Sequence, residues 1–207
     1  MARINGKPLI AFTIDAAIEA AVFSQIVVST NDHDVTKIAN QRGITLLERP
    51  DNISDDLATA DSVIAHAIEA ITLPEDSIII YLQPTSPLRN AAHIKNALDI
   101  FLKKCPRAMV SVKVASSSIF KAYKLEKNGS LTGLFGPGAP YCARQQIPPL
   151  FLPNGAIYIF KVVDFLQSNR QIPRSEVLPF VMDNTVSLDI DTAEDLTLAR
   201  EMFSSHE

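Results

Sequence analysis

The chain has 207 residues, 47% of them hydrophobic and 20% charged, which suffices for one domain with a full core and is ordinary for a globular protein. A net charge of −4 argues against a nucleic-acid or anionic-membrane partner, and no apolar run approaches the length of a bilayer span. The N-terminus lacks a signal-peptide pattern, Cys105 and Cys142 lie outside any C-x-x-C arrangement, and the histidines offer no zinc spacing, so a reduced, cytoplasmic setting is expected.

Gly6-Lys7-Pro8 opens the first helix, with the proline suited to a first turn. Leu9, Ile10, Ile14, Ala17, Ile18 and Ala21 form one apolar stripe at helical spacing. A β-branched strand over 25–30 ends in polar groups. The turn 31–34 follows, with Asp34 the expected cap of a helix over 35–42 and Gly43 its stop. Residues 44–47 read as another short strand. Helix, strand, helix, strand in that order predicts a parallel sheet with right-handed crossovers. Beyond Arg49-Pro50 and the polar loop 51–56, Thr59 caps a helix carrying Val63, Ile64, Ala67, Ile68 and Ile71.

Residues 78–82 are apolar apart from half-apolar Tyr81 and show no helical periodicity, which suits a strand buried on both faces. Pro84 and Pro87 stop it, since neither can donate to a ladder. Gln83, Thr85, Ser86 and Arg89 are then presented at the carboxyl end of the strand, the edge where open α/β sheets bind ligands. A merely stiff exit turn is the alternative. A helix over 91–104, with Ile94, Ala97, Leu98, Phe101 and Leu102 on one face, leads to a strand over 108–114.

The texture then changes. Asn128-Gly129 is a hairpin-turn dipeptide, residues 133–140 are rich in glycine and proline, and 144–153 is polar and proline-broken. Residues from about 113 to 153 therefore read as a protruding insertion within a single domain, 1–207. The α/β rhythm resumes with a strand over 155–160, a short helix near 162–168, a strand near 177–182 and a last helix from about 192 to 202.

Ser187-Leu188-Asp189-Ile190-Asp191 is the sharpest local signal for chemistry. In a strand, residues two apart share a face, so Asp189 and Asp191 would present two carboxylates together, a pair suited to Mg²⁺ bridging to substrate phosphates. The competing reading is a helix start, with Asp191, Glu194 and Asp195 complementing the helix dipole. Arg144, ahead of the 155–160 strand, carries a guanidinium able to grip a carboxylate bidentately. It also fits a solvated loop. Lys121 reads equally as a surface lysine, and Arg49 holds either an anion or a neighbouring carboxylate.

Seven segments occur in an order that resembles one family. They are residues 6–14 (Gly-Lys-Pro-Leu-Ile-Ala-Phe-Thr-Ile), 27–32 (Val-Val-Ser-Thr-Asn-Asp), Arg49-Pro50 followed by Ser54-Asp55-Asp56, 82–89 (Leu-Gln-Pro-Thr-Ser-Pro-Leu-Arg), 144–148 (Arg-Gln-Gln-Ile-Pro), 154–159 (Asn-Gly-Ala-Ile-Tyr-Ile) and 189–196 (Asp-Ile-Asp-Thr-Ala-Glu-Asp-Leu). Together they resemble the acylneuraminate cytidylyltransferases, or CMP-sialic acid synthetases. The resemblance implies an α/β fold with a mostly parallel, three-layer sheet of nucleotidyltransferase (Rossmann-like) type and a dimerisation insertion. It implies that CTP and a nonulosonic acid such as N-acetylneuraminate or legionaminate give a CMP-sugar and pyrophosphate, with Mg²⁺ as cofactor and a homodimer as the working unit. By the same resemblance Asp189 and Asp191 match the metal-binding aspartates and Gln83 a sugar-contacting glutamine. Arg49 matches a nucleotide-pocket residue, and Lys121, Arg144 and Tyr158 match sialic-acid contacts, some of them supplied by a partner subunit.

Members of that family open on a strand and a basic glycine-rich loop, whereas Met1-Ala2-Arg3-Ile4-Asn5 is all that precedes Gly6 here. Two expectations follow. No strand should stand between 26–30 and 78–82, which leaves either a gap or direct pairing. Turnover by this polypeptide should be weak without a cradle for the triphosphate, so a catalytically silent, sugar-binding or dimer-partner relative is the alternative function.

Overall fold

The structure is a computed structural model that describes residues 2–54 and 58–204. The chain opens with a two-residue ribbon, β1 (Arg3–Ile4) and β2 (Lys7–Pro8), which feeds α1 (Leu9–Ala20). Next come β3 (Val27–Thr30), α2 (His33–Gln41), β4 (Thr45–Glu48) and α3 (Ala60–Ile71). The second stretch runs β5 (Ile78–Tyr81), α4 (Ala91–Lys104), β6 (Ala108–Val114) and the hairpin β7 (Tyr123–Leu125) and β8 (Leu131–Gly133). It closes with β9 (Phe151–Lys161), α5 (Val162–Gln167), β10 (Val177–Val181) and α6 (Ala193–Ser204).

The main sheet has the order β10-β6-β9-β5, and β3 and β4 form a separate parallel pair. The α/β class is as expected. Within it the sheet is mixed, because β9 runs antiparallel to both β5 and β6 while β10 and β6 are parallel. Three layers result. On one face Ala16 and Ala20 of α1 and Ile94, Ala97 and Phe101 of α4 pack over Ile157 and Ile159. On the other, Ile64 and Ile68 of α3 and Phe165 of α5 pack against Ala108 and Phe160. The β3–β4 pair has its own small core, where Val28 meets Ala39 of α2 and Ile14 of α1.

Several boundaries follow from their caps. Asn90 accepts from the His93 N–H while His93 returns a bond to the Asn90 N–H, which starts α4 where expected. Thr59 caps α3 through the Ser62 N–H, and Gly43, at φ +65°, follows the end of α2. The cap of α2 is Asp32 and not Asp34: its carboxylate accepts from Asp34 and Val35 N–H, so the helix begins two residues early, at His33. The apolar stripes are also narrower than their spacing suggested. Ile18 and Leu102 are 43% and 51% exposed, because α1 lies on the sheet through Ala16 and Ala20 and α4 through Ile94, Ala97 and Phe101.

The largest correction concerns β5. It is not a central strand buried on both faces: all four of its residues are half-buried, and among the described residues β9 is its sole ladder partner. The expected gap is present. Among the described residues no strand lies between β3 and β5 and no backbone hydrogen bond joins them. A cavity of about 640 Å³ runs between the two strands.

The insertion leaves the sheet after Val114 and returns through β9. Its β7–β8 hairpin turns at Asn128-Gly129 as expected, with Gly129 at φ +82°. Leu125, Leu131 and Tyr141 are 68%, 61% and 82% exposed, so the insertion buries little apolar surface on its own body.

Candidate active site

Beyond Tyr81 the chain turns through Gln83, Pro84 and Thr85, and residues 187–191 lie alongside it. The Ile190 N–H donates to the Thr85 carbonyl at 2.9 Å, which fixes the two segments edge to edge. The Asp-x-Asp segment is not a strand of the sheet as expected. It is an extended coil that follows the short 3₁₀ turn Asn184–Val186. Leu188 and Ile190 pack into the apolar cluster of Ile4, Leu9 and Ala199, while Asp189 is half-buried against Gly155 and Asp191 is exposed.

Asp189 meets Gln83 across Gly155. A Cβ on that glycine would lie 2.7 Å from Asp189 Oδ2 and 2.8 Å from Gln83 Oε1, so both oxygens converge on a space that only glycine leaves free. Gly155 also has φ +73°, a conformation costly for any side chain. It sits where β9 shifts register against β6, between the Val110 and Val112 pairs. A bulge there re-aims the backbone, and a buried network sets it. Asn154 accepts from the Ser111 hydroxyl at 2.6 Å and donates to Ser187 Oγ at 2.9 Å, while the Ser86 hydroxyl donates to the Asn154 carbonyl. The strand exit, the bulge and the start of the aspartate segment are thereby tied into one unit.

Asp189 is half-buried and its Oδ1 atom, shielded from solvent, has no hydrogen-bond partner. Burial pushes its carboxyl above the usual range, against a hydrogen bond from Thr85, with the Asp191 and Asp195 charges pushing further up and Lys113 pulling down. Tyr158 of β9 stacks at a tilt on Tyr81, with ring centroids 5.9 Å apart. Burial raises the Tyr158 phenol, and the Asp189 charge adds to the effect. Burial also raises the Tyr81 phenol, while a hydrogen bond with Gln83 and the charge of Arg49 oppose it. Gln83, Asp189 and Tyr158, three of the expected residues, are thus within reach of one another, with Asp191 exposed beside them.

Helix capping does not consume Asp191. Thr192 and Asp195 cap α6 reciprocally: Asp195 Oδ2 accepts from the Thr192 N–H at 2.9 Å and Thr192 Oγ1 accepts from the Asp195 N–H at 3.2 Å. Arg49 stands on the far side of the cavity, where its guanidinium donates to the Ser29 carbonyl at 2.5 Å and to its hydroxyl. Lys121 closes the 3₁₀ turn Ser117–Lys121, and Arg144 opens the turn Arg144–Gln146, both in the insertion. Among the described residues no side-chain hydrogen bond or ion pair joins either to Gln83, Tyr158 or Asp189. Of the Ser54-Asp55-Asp56 segment, the two aspartates lie outside the described residues.

Two residues expected at the ligand edge are structural instead. Ser86 and Arg89 are 1% and 2% exposed. The Arg89 guanidinium donates to the Gln83 carbonyl at 3.0 Å, the Ala156 carbonyl at 2.9 Å and Thr13 Oγ1. Among the described residues no carboxylate pairs with it, and burial lowers its pKa to about 10. It clamps the strand exit to β9 and α1. In the other direction, Lys113 was missed. It faces the aspartate segment from β6, donates to the Ser187 carbonyl at 3.3 Å and bears electrostatically on Asp189 and Asp195. Alternation along β6 was the available signal, since Lys113 is the one charged residue in that strand.

Comparison with known proteins gives this cluster a context. A family profile described as cytidylyltransferase matches residues 1–202. The chain belongs to the cytidylyltransferase family. It is 32% identical over 94% of its length to an N-acylneuraminate cytidylyltransferase of Streptococcus agalactiae, of which it covers 47%. To an N-acylneuraminate cytidylyltransferase of Escherichia coli it is 31% identical, covering 45% of that protein. The chain therefore spans about half the length of these relatives. A CMP-N,N'-diacetyllegionaminic acid synthase of Legionella pneumophila is 31% identical, with 96% of this chain and 86% of that protein aligned. Among solved structures, a CMP:2-keto-3-deoxy-manno-octonic acid synthetase complexed with CTP superposes with TM-score 0.70 at 16% identity, covering 99% of this chain and 91% of the other. The two chains share one fold.

Proposed function

We propose that this cytidylyltransferase site transfers a cytidylyl group from CTP to a nonulosonic acid. The anomeric hydroxyl oxygen of the sugar bonds to the α-phosphorus, the bond to the β-phosphate oxygen breaks, and pyrophosphate leaves as the hydroxyl loses its proton. The observation that carries this reading is Asp189, a half-buried carboxylate with an orphaned oxygen, held beside Gln83 and Tyr158 at a strand exit. The names of the relatives favour a sialic-type acceptor, with legionaminate as the nearest variant.

The donor set fits Mg²⁺. Among the described residues no cluster of three or more His, Cys, Asp or Glu is present, and Mg²⁺ needs none. It is held by one or two carboxylates, with water and substrate phosphate oxygens filling its remaining positions. Asp189 and Asp191 would hold it. Bound there, the ion supplies positive charge against the charge that develops on the α-phosphate. Gln83 is placed to donate its amide to a sugar hydroxyl, and Tyr158 closes that side of the pocket. Arg49, across the strand exit, binds the nucleotide.

Arg144 and Lys121 recognise the sugar carboxylate, and their place in the insertion makes a second copy of the chain part of that contact. The exposed Leu125, Leu131 and Tyr141 support a homodimer formed through the insertion. No described helix is long and apolar enough to cross a membrane. The reaction belongs in the cytoplasm, a setting that also suits the free thiols of Cys105 and Cys142.

The test is pyrophosphate release from CTP by the purified chain, with Mg²⁺ and N-acetylneuraminate or legionaminate, and its loss in Asp189→Asn and Asp191→Asn. A second reading is a catalytically silent, sugar-binding or dimer-partner relative. Absent turnover, together with a thermal shift caused by Mg²⁺ that Asp189→Asn removes, would select that reading.

A further inference from the structure

We propose that Lys113 is a positioning residue that sets how tightly the aspartate segment takes up Mg²⁺. It anchors the main chain of the segment and spreads one positive charge over its carboxylates. This deepens the reading of Asp189 and Asp191 as the metal-binding pair, and it rests on that reading. β6 reaches the segment at two points. The Ser111 hydroxyl donates to Asn154, whose amide donates to Ser187 Oγ at 2.9 Å. Two residues further along β6, the Lys113 ammonium donates to the Ser187 carbonyl at 3.3 Å. Ser187 is thus held by its side chain and by its main chain, immediately before Leu188 and Asp189.

The half-buried Lys113 keeps its distance from the acids it acts on. Its charge bears on both Asp189 and Asp195, yet among the described residues no direct ion pair includes it. Asp15 shows the other arrangement, with Lys7 at 2.7 Å and Arg42 at 2.8 Å, one on each of its oxygens. A carboxylate paired in that way has little left to offer a third cation. At Asp189 the cation stands off, and Oδ1 has no hydrogen-bond partner. Such a charge eases the repulsion among Asp189, Asp191 and Asp195 without covering their oxygens. It also repels an incoming divalent ion, through a force that solvent and salt partly screen. Lys113 therefore gives up some Mg²⁺ affinity for a segment that keeps its shape in the metal-free state.

The experiment is Mn²⁺ binding to the whole chain, without nucleotide or sugar, read from the loss of the free ion's electron paramagnetic resonance signal. Lys113→Gln keeps a donor for the Ser187 carbonyl and removes the charge, so its Kd should fall about three- to tenfold. Lys113→Arg keeps both and should bind as the parent does. The gain in Lys113→Gln should shrink when ionic strength is raised from about 0.05 to about 0.5 M. A purely structural role would weaken binding in Lys113→Gln, and salt would not narrow the difference. No gain in Lys113→Gln, an equal gain in Lys113→Arg, or a gain that salt leaves unchanged would each overturn the proposal. The metal pair itself is tested separately by Asp189→Asn. If that variant binds Mn²⁺ as well as the parent, the metal reading falls and this proposal with it. If it loses Mn²⁺ while Lys113→Gln gains nothing, the role of Lys113 alone falls.

Discussion

The two edges of β5 sit in opposite circumstances. Toward β9 its ladder is closed, and beyond β9 lie β6 and β10, with Ile157, Ile159 and Phe160 at 0% exposure. Toward β3 the same strand faces an open slot, and its isoleucines are half-buried. Apolar sequence alone does not make a strand central. Burial comes from what stands on each side, and among the described residues β9 alone pairs with this strand.

The sharpest way to break this contrast is to delete the same atoms on both sides. Ile157→Ala, in the closed half, should cost about 3–5 kcal/mol in urea unfolding, and Ile79→Ala on β5 about half as much. Equal losses would mean that the slot is closed in solution. Next in size is Asn154→Ala. It leaves the buried Ser111 O–H without its acceptor and removes the amide donor to Ser187 Oγ, although Ser111 keeps the Ile157 N–H and Ser187 the Asp183 carbonyl, and about 1–2 kcal/mol of stability should be lost. Gly155→Ala should cost about 1–2 kcal/mol for its positive φ. Its larger consequence falls on chemistry, because the new methyl group occupies the space between Asp189 and Gln83, and pyrophosphate release should fall at least about tenfold.

The smallest effect is a matter of pH. The folded-state pKa of Asp189 is raised by burial, so the folded chain holds this proton more tightly than the unfolded chain. Stability from this group is thus full below the unfolded carboxylate value and declines as pH rises through the folded one. Asp189→Asn should melt slightly higher than the parent at pH 7, and the difference should vanish on acidification toward pH 4. A parent that melts higher at neutral pH would show that its charge is compensated without metal.

Much of the fold is legible from local rules. The start of α4 and the cap of α3 follow from Asn90 and Thr59, whose side chains act within a turn of the residues they cap. Asp32 and Asp34 show the limit of that logic, since both types suit a cap and only the folded geometry selects one. In the site, Gln83, Asp189 and Tyr158 lie near one another at the strand exit. The residues that bring them together were less visible. Arg89 reads as a ligand-edge cation, yet it is spent on two carbonyls and a hydroxyl in the interior. Asn154, Ser111 and Ser187 are ordinary polar residues far apart in sequence, and their shared role exists only once β6 and β9 slip register. No periodicity records such a slip.

That long β9 strand has a mechanical consequence. Phe151, Leu152 and Pro153 pair with Val114, Lys113 and Val112 at the root of the insertion, while Tyr158 to Lys161 pair with β5. Gly155 lies between these two grips on the same strand. The insertion is therefore a lever whose fulcrum is the floor of the site. The bulge opposite Ser111 would be the natural place for such a lever to bend, and the Asn154 hydrogen bonds stiffen it there. A load placed on the hairpin tip is carried to Gly155, and from there to the gap between Asp189 and Gln83.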